Sequence, residues 1–145
     1  MFLENIPGSM KKDIKDLLIY SVDDDKDERF FIKEAFTDFV DADQLRFFGN
    51  GVELIDSLNT HTGPLPDFIL MDLNMPLMNG REALEIIKKN PLWKDIPVII
   101  FSTSNYEKDI ANCLALGAKK YICKPASMME YPKIFESLIN EMLTA

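Results

Sequence analysis

A chain of 145 residues, 47% hydrophobic and 28% charged, has the proportions of one globular domain and the length to bury a core without staples. Its 24 acidic against 16 basic residues give a net charge of −8, with no segregated basic patch, which disfavours binding to a nucleic-acid backbone. Two cysteines without a CxxC pair (Cys113 and Cys123) and a single histidine (His61) exclude a disulfide framework, a zinc finger and multi-histidine metal chemistry, and make a reduced, cytoplasmic protein the expectation.

Residues 1–16 read as a polar arm, punctuated by Pro7-Gly8-Ser9 and without the basic start and long apolar stretch of a signal peptide. No run elsewhere reaches the ~20 apolar residues of a membrane span. Residues 17–22, Leu-Leu-Ile-Tyr-Ser-Val, are apolar in succession, as a strand covered on both faces requires. From Asp27 the period becomes helical, and Phe31, Ala35 and Phe39, with Ile32 and Phe36 beside them, form one stripe. A strand at 44–48 follows, then a helix at 52–58 presenting Val52, Ile55 and Leu58. Gly63-Pro64-Leu65-Pro66 stops that helix before a strand at 68–73. A loop over 74–80 leads into a helix carrying Ala83, Leu84, Ile86 and Ile87, closed at Asn90-Pro91. Pro97 opens a strand at 98–101. The helix at 106–116 turns Ile110, Cys113 and Leu114 inward and ends at Gly117, well placed as a left-handed cap. Residues 121–123 form a last strand, and a helix from Tyr131-Pro132 buries Ile134, Phe135, Leu138, Ile139 and Met142. Five strands alternating with five helices predict a doubly wound α/β sandwich with a parallel sheet.

Sites in such sheets lie at the carboxyl ends of the strands. Those ends carry Asp23-Asp24-Asp25, Asp72, Ser102-Thr103-Ser104 and Lys124-Pro125. Taken singly, each has a plain structural reading: Asp25 or Asp27 caps a helix, Ser102 caps the next one, Asp72 sits in a loop and Lys124 is a solvated charge. Taken together, the carboxylates repel one another unless a cation joins them, and Mg²⁺ prefers such oxygen ligands. Asp72 is then a nucleophile that accepts a phosphoryl group, with Lys124 and the Ser102 hydroxyl on its oxygens. His61 is expected in a solvent-exposed loop, Cys113 and Cys123 in the core, and Trp93 in the loop over 91–96.

Val22-Asp23-Asp24-Asp25, the run from Met71-Asp72 to Asn79-Gly80, and Tyr121-Ile122-Cys123-Lys124-Pro125 resemble the signatures of two-component response-regulator receiver domains. Ser102 follows Asp72 by 30 positions and Lys124 follows Ser102 by 22, and the match runs over about 17–142. The resemblance implies a (βα)5 fold of the flavodoxin/CheY-like type, strand order 2-1-3-4-5, with an arm at 1–16 and a receiver at 17–145. With no effector domain after it, the chain resembles the single-domain regulators associated with phytochrome-type and hybrid histidine kinases.

By position, Asp72 matches the phosphoacceptor, and Asp23 and Asp24 match the pair that holds Mg²⁺ together with Asp72 and the Asn74 carbonyl. Ser102 and Tyr121 match the switch positions, and Lys124 the lysine that contacts the phosphoryl group. The aspartate triplet also allows Asp24-Asp25 as the pair. Lys124-Pro125 resembles a bond that is cis in the family, and Thr103 stands where a small residue is usual. The implied partners are a sensor histidine kinase or histidine phosphotransfer protein and a downstream protein, with self-association through the last two helices, and no nucleic acid or membrane. A phosphorylation switch, not an enzyme, is the expected function. An aspartyl-phosphate phosphatase is the alternative, although it needs a general acid two residues after the nucleophile, where Asn74 stands. A phosphate-independent docking module is the third reading, and it predicts a missing acidic pair, acceptor or lysine, none of which is missing.

Overall fold

The structure, a computed structural model, describes residues 13–144, so most of the predicted arm at 1–16 lies outside the described residues. A single 3₁₀ turn at Ile14–Asp16, capped by the Asp13 side chain, leads into the sheet. The strands are β1 (Ile19–Val22), β2 (Leu45–Phe48), β3 (Phe68–Met71), β4 (Val98–Ser102) and β5 (Lys120–Cys123). They alternate with α1 (Lys26–Phe36), α2 (Gly51–Thr60), α3 (Gly80–Lys89), α4 (Glu107–Ala115) and α5 (Tyr131–Thr144). All neighbouring strands pair in parallel, in the order β2-β1-β3-β4-β5, as expected. None of the described helices is long and apolar enough to cross a membrane.

The alternation of side chains along each strand divides the core in two. Phe68 and Leu70 of β3 face one layer, where α1 and α5 bring Phe36 and Phe135 into a parallel stack at 4.1 Å. Ile69 and Met71 face the other, against Leu54 and Leu58 of α2, Ala83, Leu84 and Ile87 of α3, and Cys113 of α4. Central strands β1, β3 and β4 are buried along their whole length, which is why they read as unbroken apolar runs.

Several expectations are corrected by this packing. β1 begins at Ile19, because the Leu18 N–H is taken by the Asp67 carboxylate at 2.7 Å. In α2 the buried side is Leu54 and Leu58, and Val52 is exposed. Leu114 and Ile86 are likewise exposed, each lying on the outer flank of its helix. Cys123 is exposed at the end of the edge strand β5, whereas Cys113 is in the core. Trp93 lies in the turn over 91–96 as expected, and its ring is buried in the second layer. His61 is half-buried, its Nδ1 2.9 Å from the Leu58 carbonyl oxygen at the end of α2. The Lys124–Pro125 bond is trans, since the described residues contain no cis peptide. The two isomers of such a bond differ by only about 0.5–1 kcal/mol, so its residues do not decide between them.

Candidate functional site

Sheet register assembles the site. Val22 pairs with Met71, so the next residues, Asp23 and Asp72, leave two adjacent strands side by side. Cys123 pairs with Ser102, which brings Lys124 off the end of β5 beyond the last residue of β4. The β3–α3 loop is held close by its sequence: Asn79 and Glu82 form a capping box, and the Gly80 N–H donates to the Leu73 carbonyl at 2.8 Å. A Cβ at Gly80 would lie 2.2 Å from the Asp72 carbonyl oxygen, so only glycine admits this approach.

The aspartate triplet divides its work. Asp25 caps α1, accepting from the N–H groups of Asp27 and Glu28 at 2.8 and 3.2 Å. Asp23, Asp24 and Asp72 each offer a carboxylate oxygen, and these oxygens lie within 4.8 Å of one another. Asp23 is buried, Asp72 half-buried and Asp24 exposed. Register thus places Asp23, and not Asp25, beside Asp72. The Lys124 ammonium donates to Asp23 Oδ2 at 2.9 Å and lies 3.5 Å from Glu28 Oε1. It also sits 5.6 Å from the centre of the Phe101 ring. Arg29 donates to the Asp23 carbonyl at 2.7 Å, and the Leu73 N–H donates to Asp72 Oδ1 at 2.8 Å.

The three aspartates of the triplet, Glu28, Asp72 and Lys124 border an open cleft of about 480 Å³ together with Asn74, Thr103, Pro125 and Met128. Ser102 and Tyr121 lie beside the cleft and not in its lining. Ser102 is fully buried, its Oγ accepting from the Ser104 N–H at 3.2 Å, while Thr103 borders the cleft in its place. The Tyr121 hydroxyl donates to the Ser104 carbonyl at 2.8 Å, tying the edge strand to the β4–α4 loop.

Burial dominates the electrostatics. It pushes the Asp72 carboxyl up to about 6 from its ordinary 3.8, with Asp23 and Asp24 adding to the rise and Lys124 opposing it. Asp23 is raised by the same desolvation, partly offset by its bonds from the Asp25 N–H and Lys124. Burial works to lower Lys124, but its bond to Asp23 and the charges of Asp72, Asp23 and Glu28 outweigh it and hold the ammonium protonated. A hard-oxygen triad carrying surplus negative charge fits a divalent cation with oxygen preference.

Two residues here were not singled out by the sequence reading. Glu28 accepts a hydrogen bond from the Tyr131 hydroxyl and faces Lys124. Their signal lay in helical phase. Glu28 shares a face with Ile32, Ala35 and Phe36 of α1, and Tyr131 shares one with Phe135, Leu138 and Ile139 of α5. A carboxylate and a phenol on apolar stripes both need buried partners.

The doubly wound sheet and its strand-end acidic cleft define a flavodoxin-like protein whose site is built for a cation and an oxyanion. A family model described as the response regulator receiver domain matches residues 19–136. The chain belongs to that family. It is 29% identical to response regulator Rcp1 of Synechocystis over 125 residues, 83% of this chain and 85% of that protein. It is 33% identical over 122 residues, 82% of its own length, to a protein-glutamate methylesterase/protein-glutamine glutaminase of Clostridium acetobutylicum, of which it spans only 35%. Among solved structures, the Mn²⁺-bound form of Rcp1 superposes with a TM-score of 0.76 at 28% identity, covering 88% of this chain and 94% of that one. The phosphorylated cyanobacterial phytochrome response regulator RcpA gives 0.78 at 32% identity with the same coverage.

Proposed function

We propose that this receiver is a phosphorylation switch in which Asp72 accepts a phosphoryl group from the phosphohistidine of a kinase or phosphotransfer protein. One observation carries the assignment: the Asp72 carboxylate stands at a strand end within 4.8 Å of Asp23 and Asp24 and in the field of the Lys124 ammonium, while Asp23 is already bonded to that ammonium. The Mn²⁺-bound and phosphorylated relatives support the same reading. Asp23, Asp24, Asp72 and the Asn74 carbonyl would hold Mg²⁺. When bound, the cation neutralises the carboxylates and polarises the phosphoryl oxygens. With Oδ1 held by the Leu73 N–H, Asp72 Oδ2 attacks phosphorus. The new P–O bond forms as the P–N bond of the donor breaks, and its electron pair returns to the imidazole nitrogen, which takes up a proton.

Lys124 then pairs with the phosphoryl oxygens. Ser102 must move to reach them, and that movement strains the Tyr121–Ser104 tie. The readout is a change in partner binding at the α4–β5–α5 face, self-association through the last two helices included, and not turnover of a substrate. A cytoplasmic setting, and a receiver at 17–145 preceded by an arm at 1–16, complete the reading. Incubation with acetyl phosphate tests it: a base-labile, Mg²⁺-dependent label appears on the wild type and is lost in Asp72→Asn.

A further inference from the structure

The Lys124 ammonium faces two carboxylates besides Asp72. Asp23 Oδ2 lies 2.9 Å away and Glu28 Oε1 3.5 Å away, around a lysine side chain only 8% exposed. The same Glu28 oxygen accepts the Tyr131 hydroxyl. Tyr131 is itself fixed, buried at the start of α5 with its ring edge-on to Phe101 at 5.1 Å. Phe101 is the ring over which the lysine lies. One network therefore joins α1, the exit of β5 and the start of α5, and two of its members have no part in the chemistry assigned to Asp72.

We propose that Glu28, oriented by Tyr131, is a positioning residue that sets how readily Lys124 turns from its resting carboxylates to the phosphoryl group. This rests on the reading of Asp72 as the acceptor. Glu28 competes with the incoming oxyanion for one ammonium, so its charge holds Lys124 back. Tyr131 weakens that hold, because an oxygen already accepting a hydroxyl proton attracts the ammonium less. It has a second effect of the same sign. When Lys124 leaves, Glu28 keeps a partner, and no half-buried carboxylate is stranded without a hydrogen bond. The two residues therefore act on Lys124 in opposite directions, which a merely structural pair would not do.

The test is calorimetric titration of the Mg²⁺-loaded full chain with beryllofluoride, an oxyanion mimic that needs no donor. Glu28→Gln is expected to tighten binding about three- to tenfold, the range of one partly screened charge contact, and Tyr131→Phe to weaken it by a similar factor. In a Lys124→Met background both effects shrink below about twofold, because the residue through which they act is gone. Shifts in the same direction for both variants, or shifts that persist without Lys124, overturn the inference. Either variant alone decides it in the Lys124→Met comparison, so loss of one to misfolding leaves the test standing. A wild type that binds no beryllofluoride and takes no label from acetyl phosphate instead overturns the assignment of Asp72, and this inference with it.

Discussion

Asp72→Asn should make the cation-free protein more stable at neutral pH. The carboxyl titrates near about 6 in the fold against 3.8 ordinarily, because burial and the neighbouring Asp23 and Asp24 charges outweigh Lys124. A carboxylate whose folded pKa is raised binds more protons in the native state than in the unfolded state. Stability is then greatest below 3.8 and is lost as pH rises to about 6, above which the penalty is fully in place. At 1.36 kcal/mol per pKa unit the gap corresponds to about 3 kcal/mol. Asp72 is only half-buried and water screens it, which leaves about 1–2 kcal/mol. The isosteric amide removes the charge and keeps the shape. Urea denaturation in EDTA at pH 4.5, 6 and 7.5 should show the variant gaining about 1–2 kcal/mol over wild type at pH 7.5 and about a third of that at pH 4.5. The melting temperature should rise by about 3–6 °C at the higher pH. A variant less stable than wild type at pH 7.5, or a difference constant across the range, would refute the account of the acidic cluster.

Other outcomes follow from the same geometry. Millimolar Mg²⁺ should raise the melting temperature of the wild type, because it binds the folded state and relieves repulsion among Asp23, Asp24 and Asp72. Asp24→Ala should abolish most of that rise in a thermal-shift series, and an undiminished response would remove Asp24 from the site. Gly80→Ala forces a methyl group against the Asp72 carbonyl and should cost about 1–3 kcal/mol in urea unfolding while slowing labelling. A neutral substitution there would mean that the β3–α3 loop does not depend on the close approach.

The fold was legible because its three central strands are buried on both faces and so appear as unbroken apolar runs between amphipathic stretches. Edges were harder to read. Cys123 looked like a core residue by type, but β5 has one side open, and nothing in its own residues reveals which strand lies at the edge. Val52 and Leu54 are both apolar and two positions apart, and the choice of buried member depends on how α2 rolls against α3. At the site, Asp23, Asp24, Asp72 and Lys124 were legible as strand-end residues. The division of the triplet was not, since it depends on the pairing of Val22 with Met71. Ser102 was expected in the cleft on the strength of its position, yet β4 runs one residue further than its apolar run, and Ser102 completes the strand with its hydroxyl buried. Glu28 and Tyr131 lie on helices and not at strand ends, so only helical phase, and no strand-end position, marks them in the sequence.

Peptide mapping of the phosphorylated residue tests the central claim most directly. After incubation with acetyl phosphate and Mg²⁺, borohydride reduction of the acyl phosphate and digestion should mark Asp72 alone. EDTA should suppress the mark, hydroxylamine applied before reduction should remove it, and Asp72→Asn should lack it while retaining a cooperative melt. A mark of equal stoichiometry in Asp72→Asn, or one placed on Asp23, Asp24 or Glu28 in the wild type, would contradict the assignment of Asp72 as the phosphoryl acceptor.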